Sequence, residues 1–413
     1  MTGFVLLRVR AHRLLLAAAL LAVLLTTSVL AALAGFSGSV GDAALRSTLQ
    51  GRDAAGAGLV VTAQVPVDKR ASADAAARAG ARKTFAGLPV TVRKLERSGP
   101  YALPRSLQDA AARRGQPDLT HLAALDRSRI ALVRGTLPRG SGAAAGTTAS
   151  GTVQVAVPEA AAKRLRIEPG AVLDLTDRLD EKRALKARVT GVYRPADLAD
   201  TYWRLDEAAG RGVRTVDFTT YGPLLADPAL LGSGRLSRGE TAWLATADFT
   251  GVTTDRIASL RTAAAAGSAV LAADADPFGG GTVTAQTSLP TVLQQTERAL
   301  LVSRSTLLIV AVQLVLLAAY ALLLVARLLS SERSGETELL RARGGSRGRI
   351  VWLAAVEAAL LALPAAVVAP LLSGPLTRLL AEHSALAEAG LRLDATPVAQ
   401  VWLVAAGVAV CCA

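Results

Sequence analysis

Apolar positions are unevenly spread along the chain and concentrate in four blocks. Leu14 to Ala34 is apolar apart from Thr26, Thr27 and Ser28. At about 1.5 Å of rise per residue, such a run crosses the ~30 Å hydrocarbon core of a bilayer. Ser305 to Ala326 forms a second block, and Ile350 to Leu372 a third, interrupted by Glu357, Pro364 and Pro370. The fourth begins near Pro397 and is still apolar at Ala413. A cleaved signal peptide competes for the first block, since Arg8, Arg10 and Arg13 precede it and Ala31, Ala32 and Ala34 offer small residues for cleavage. A signal core is shorter, however, and the later blocks favour an anchor. The fourth block has no flanking interfacial residues, so we expect a piece of a longer protein.

The polar segments orient these blocks. Residues 1–13 carry three Arg and no acid, and 327–349 carries six Arg against three Glu, whereas 373–396 has two Arg against three acids. The positive-inside rule then gives a cytoplasmic amino terminus (1–13), a span (14–36), an extracytoplasmic domain (37–304), a span (305–326), a cytoplasmic loop (327–349), a span (350–372), an outer loop (373–396) and a last span (397–413). The expected fold is α-helical transmembrane spans plus a mixed α/β extracytoplasmic domain inserted between the first and second spans. It is multi-pass in the cell (plasma) membrane.

Within 37–304 the pattern switches between periods. Leu59–Val65, Val90–Leu95, Thr152–Val157, Ala171–Leu175 and Leu185–Tyr193 read as strands, with shorter ones over Thr215–Phe218 and Ala242–Ala245. Ser72–Ala86, Pro158–Leu165 and Thr254–Ala265 read as helices. Gly87 to Pro89 breaks the first helix, and Glu168 to Gly170 is a turn. Residues 138–151 are loop-like in composition. Leu45 and Leu49, and on the far side Leu289, Leu293, Thr296 and Leu300, recur at helical spacing. They predict either stalk helices prolonging the spans outward or simple juxtamembrane amphipathicity. Gly279, Gly280 and Gly281 read as a hinge before the second stalk.

Composition changes this picture little. The chain is 51% hydrophobic with a formal net charge of +13, but lacks the basic stripes interleaved with aromatics that nucleic-acid binding needs. Only six basic residues are Lys and none follows Lys186, which fits a coding bias. Cys411 and Cys412 are adjacent and form neither a disulfide framework nor a metal spacing. There is no G-x-x-x-x-G-K-[ST], H-E-x-x-H or G-x-S-x-G pattern. His12, His121 and His383 are far apart, and Asp126 with Arg127 and Asp180 with Glu181 read as solvated charge. Tyr202 and Trp203 form either a contact site or, the preferred reading, packed aromatics. Glu357 is a carboxylate within an apolar block, for which pairing with an Arg near the cytoplasmic interface is preferred over a proton relay. No catalytic centre, metal site or cofactor is expected.

The segment Arg333, Glu336, Leu340, Arg341, Ala342, Gly344, Gly345, followed by Ile350 and Glu357, resembles the FtsX/MacB-like permease family of ABC transporters. It departs from the family pattern at Glu338 and Arg343. The run from Val157 through Gly170 to Leu175, closing at Val189 to Val192, is similar to that family's MacB-like periplasmic core, and Tyr193 to Trp203 is similar to a branch with duplicated halves. The resemblance implies a permease without catalysis of its own, with ATP bound by a separate cytoplasmic ABC ATPase docking on 327–349. Arg341 and Glu336 would contact that subunit or each other, and Gly344 and Gly345 would permit a tight turn. It further implies a second permease half or a homodimer, mechanotransmission to the outer domain, and a peptide, lipoprotein or cell-wall hydrolase as client in a lipid membrane. The competing reading is a membrane-anchored sensor whose outer domain binds an extracellular ligand.

Overall fold

The computed structural model describes residues 13–51, 54–108, 115–139, 152–332, 367–368 and 371. They fall into two compact units, one of residues 48–251 with 256–294, the other of residues 1–47, 252–255 and 295–413.

The first unit is a mixed α/β domain. It carries β1 (Leu59–Ala63), β2 (Val90–Arg97), β3 (Tyr101–Ala102), β4 (Leu119–Ala124), β5 (Ile130–Gly135), β6 (Val153–Pro158), β7 (Val172–Asp177), β8 (Ala184–Pro195), β9 (Val213–Thr215), β10 (Thr219–Leu225), β11 (Thr241–Ala247) and β12 (Val283–Thr287). In chain order the helices are α1 (Arg13–Gln50), α2 (Ala54–Ala57), α3 (Arg70–Thr84), α4 (Glu159–Leu165), α5 (Pro228–Gly232), α6 (Ile257–Ala273) and α7 (Leu289–Glu332). Helices α1 and α7 each cross the boundary between the units.

Strand order runs β12-β1-β11-β2-β4-β3-β7-β8-β6-β10-β9, and β10 also pairs with β4. That extra pairing closes β4, β3, β7, β8, β6 and β10 into a ring, which removes their free edges. Pairings β6–β8 and β10–β4 are parallel and the others antiparallel. β7 shows why the ring forms: Leu173, Leu175 and Asp177 are buried while Val172, Asp174 and Thr176 are exposed, so one face turns inward. Leu122, Val155, Val157, Leu173, Leu175 and Val189 share the apolar cluster that fills it. β5 adds to β8 beyond the end of β7, with Ile130 opposite Pro195.

Outside the ring, β12, β1, β11 and β2 form an open antiparallel wing against which α3 packs, and α3 in turn packs on α6. Two glycines set that helix spacing. A Cβ on Gly80 would stand 2.7 Å from Leu271 Cδ1, and one on Gly267 2.7 Å from Thr84 Cα. A second apolar cluster includes Leu95, Leu225, Leu244, Tyr193, Tyr202 and Trp203. Its aromatics keep their polar atoms paired. Tyr193 donates to Pro223 O at 2.7 Å, Trp203 Nε1 donates to Asp197 O at 2.9 Å, and Tyr202 Oη accepts the Asp126 amide at 2.9 Å. Tyr202 is 0% and Trp203 2% exposed, so they are core residues.

Several sequence expectations need correction. The short strand expected over 215–218 is instead a hairpin of β9 and β10, turning through Val216, Asp217 and Phe218. The expected helix from Thr254 is a 3-10 turn over Thr254–Arg256 followed by α6 as far as Ala273. Gly279 and Gly280 take positive φ and close a short turn. Strand β12 then pairs along β1 before α7 begins, so the triglycine lies within the folded wing and does not adjoin the stalk. Residues 140–151 of the expected loop lie outside the described residues.

Leu45 and Leu49, and Leu289, Leu293, Thr296 and Leu300, all fall within helices, as their spacing predicts. α1 continues to Gln50 with Leu45 and Leu49 buried, and α7 starts at Leu289 with Leu289 and Leu293 buried. At its other end α7 continues to Glu332, so residues 327–332, expected as loop, are helical.

Candidate functional site

The coupling residues read from the sequence, Arg333, Glu336, Leu340, Arg341, Ala342, Gly344 and Gly345, lie outside the described residues, as does Glu357.

The helix that leads toward them is described. Within α7, Leu289–Ala321 is long and apolar enough to cross a membrane, and its most apolar window is not buried against protein. Leu308, Ile309, Val312, Leu316, Leu317 and Tyr320 are all exposed. An apolar surface facing every direction around a helix suits lipid as its solvent. In the same unit, α1 meets both α7 and the loop of residues 252–255. A Cβ on Gly41 would stand 3.3 Å from Leu300 Cδ2 and 3.3 Å from Thr254 Cγ2. Next to it, Asp42 Oδ1 accepts the Thr254 amide at 2.7 Å, and Arg46 Nε donates back to the Asp42 carbonyl at 3.2 Å.

In the α/β domain, charge concentrates at the end of β2. Arg97 forms ion pairs with Glu207 and with Glu240. Burial works against its charge, but the two carboxylates outweigh burial and hold the guanidinium above its usual range. Arg70, at the start of α3, pairs with Glu96 and donates to Leu231 O at 2.8 Å. Beside Arg97, His121 on β4 is buried, and burial, aided by the Arg97 charge, lowers its pKa to about 4. The ring is therefore neutral near neutral pH. Asp206 is 5% exposed, and burial raises its pKa to about 6, opposed by the amides of Gly210 and Ala208. Its Oδ2 accepts Gly210 N at 2.8 Å.

Two clefts flank this centre. One, of about 430 Å³, includes Arg97, His121, Leu179, Phe218 and Glu240 in its walls. The other, of about 360 Å³, is lined by Arg70, Glu96, Arg97, Arg183, Ser237 and Arg238 among others. Among the described residues, no three His, Cys, Asp or Glu side chains group as metal ligands. The sequence reading missed Arg97 and its carboxylates because 110 residues separate Arg97 from Glu207 and 143 separate it from Glu240. No local spacing signals such a pairing; only the strand order creates it.

Comparison with known families adds the part of the chain that the geometry leaves open. Residues 308–413 match the family model for the FtsX-like permease C-terminal domain. No curated protein matches the chain.

Proposed function

With residues 308–413 carrying an FtsX-like permease C-terminal domain as the premise, we propose that this chain is the permease subunit of an ABC transporter or a related mechanotransmission complex. Such permeases are membrane-embedded transporter subunits, not enzymes, and generally work with a cytoplasmic ABC ATPase. In this reading the amino terminus and the 327–349 segment are cytoplasmic, and the ATPase docks on the latter through Glu336 and Arg341. Gly344 and Gly345 form the turn into the next span. ATP-driven closure of the ATPase displaces α7, and α7 and α1 carry the displacement to the α/β domain.

The observation that carries the reading is the overlap of the matched segment with the exposed apolar stretch of α7. Two features support coupling through helices. Both α1 and α7 run unbroken past the boundary of the α/β domain, and Asp42 ties α1 to the loop that precedes α6. A rigid helix transmits an axial or rotational displacement without the losses of a flexible linker.

The test is co-purification and ATPase activity of the chain with its cognate ATPase in lipid, comparing wild type with an Arg341→Glu, Gly344→Pro variant. Charge reversal and a broken turn are expected to abolish association or stimulated hydrolysis. If no ATPase associates with wild type, or the variant behaves as wild type, the permease reading is wrong for this chain.

A further inference from the structure

We propose that the smaller cleft of the α/β domain binds a phosphate-class oxyanion, held chiefly by Arg238 and Arg183. This inference stands on the domain alone and does not depend on the permease reading.

The cleft of about 360 Å³ is lined by four arginines, Arg70, Arg97, Arg183 and Arg238, against two acids, Asp68 and Glu96. That volume lies at the small end of ligand pockets and suits an anionic group with a modest substituent. The arginines do different work. Arg70 is committed to Glu96 and Leu231 O, and Arg97 to Glu207 and Glu240. They form a fixed wall whose charge is already balanced. Among the described residues, Arg183 forms an ion pair only with Asp180, across 3.5 Å, where both side chains are more than half exposed, so that pair is weak. Arg238 makes no hydrogen bond or ion pair among the described residues. The cleft therefore presents two cations with charge to spare, which matches a phosphate dianion better than a single carboxylate. A guanidinium fork also suits phosphate oxygens geometrically.

Arg238 projects from backbone that is held in place. Gly99 N donates to Ser237 O at 3.2 Å and Arg97 N to Glu240 O at 2.9 Å, so residues 237–240 are laced to residues 97–99. Gly239 fits into that lacing because it lacks a side chain: a Cβ there would stand 1.9 Å from Arg97 O. Ser237 N also donates to Tyr101 Oη at 3.1 Å, which anchors the segment further. Guanidinium donors on a fixed backbone lose less entropy on capturing an anion than donors on a mobile loop.

The experiment is a calorimetric titration of the full chain in detergent with inorganic phosphate and with glycerol 3-phosphate. Saturable binding is expected, weakened about tenfold or more in Arg238→Ala and measurably in Arg183→Ala, the scale of one charge-assisted contact. Arg78→Ala, an exposed arginine on α3 outside the cleft, should bind as wild type. A soluble phosphate and a lipid headgroup share this chemistry. Repeating the titration in phosphatidylcholine nanodiscs with and without phosphatidic acid separates the two. Loss of phosphate binding only with phosphatidic acid assigns the site to a headgroup, and unchanged binding assigns it to a soluble phosphate; either outcome supports the site. The proposal is overturned if wild type shows no saturable binding at millimolar phosphate, if Arg238→Ala and Arg183→Ala both bind as wild type, or if Arg78→Ala weakens binding as much as they do.

Discussion

Asp42 Oδ1 accepts the backbone amide of Thr254 at 2.7 Å, capping the 3-10 turn that opens α6 with a carboxylate from α1. The first amides of a helical segment have no partner inside it, so a carboxylate there satisfies an orphan donor and favours the positive end of the backbone dipoles. Asp42→Ala should expose that amide and lower stability by about 1 kcal/mol, as loss of a cap does elsewhere. Asp42→Asn keeps an acceptor oxygen and should stay near wild type. Hydrogen exchange at Thr254 is the direct readout: it should accelerate in Asp42→Ala and not in Asp42→Asn. Equal exchange in both variants would separate this contact from the stability of the loop.

The α3–α6 contact predicts an order between two conservative substitutions. The Cβ of Gly267→Ala meets Thr84 N at 2.8 Å and Cα at 2.7 Å, which are backbone atoms with no rotamer to escape into. The three atoms nearest the Cβ of Gly80→Ala all belong to the Leu271 side chain, whose methyl groups can turn. Overpacking typically costs about 1–3 kcal/mol. Gly267→Ala should sit at the upper end of that range and Gly80→Ala at the lower, partly offset by alanine's better helix propensity. Thermal melts of the two variants decide the order.

These two contacts mark where sequence reasoning succeeds and stops. The helix later seen at Arg70–Thr84 and the strands at Leu59–Ala63 and Ala184–Pro195 were legible because alanine-rich and β-branched runs carry their own period. β4, with Thr120 and His121 among leucines and alanines, has no alternation to read, since both its faces are buried. β3 is a two-residue strand, and β12 is a polar edge whose identity comes from pairing with β1. The triglycine looked like a hinge because composition cannot reveal the strand that follows it. The Arg97 centre was invisible for the same reason: Glu207 and Glu240 become its neighbours only through the order of the strands.

Arg97 itself should matter more through what it leaves behind than through its own packing. Arg97→Gln removes the ion pair of Glu240 and leaves Glu207 with the half-exposed Arg214 at 3.8 Å. Removing one partner of a fully buried pair costs about 3–5 kcal/mol, but Glu207 is 44% exposed and solvent screens it, so about 1–2 kcal/mol is expected. Adding Glu207→Gln to Arg97→Gln should recover part of that loss, because it removes one of the two carboxylate charges that Arg97 balanced. A double-mutant cycle read by denaturant midpoints tests this, and purely additive losses would contradict it.

His121 and Asp206 should oppose each other in acid. Burial lowers the His121 pKa from 6.5 to about 4, so the unfolded chain binds its proton first as pH falls. The stability His121 contributes is present above pH 6.5 and is lost as pH drops toward 4. Burial raises the Asp206 pKa from 3.8 to about 6, so the folded chain binds that proton first. Acidification from 6 to 3.8 therefore adds stability at Asp206, and raising the pH through 6 removes it. Each shift corresponds to about 3 kcal/mol at ~1.4 kcal/mol per pH unit, so between pH 4 and 6 the two nearly cancel. Replacing either group unmasks the other. Asp206→Asn keeps an oxygen for Gly210 N but does not titrate, and relative to wild type its melting temperature should fall between pH 6.5 and 4. His121→Gln should melt higher at pH 4 than at pH 6.5 relative to wild type. Curves for both variants that run parallel to wild type across this window would mean that neither group titrates with the burial the fold gives it.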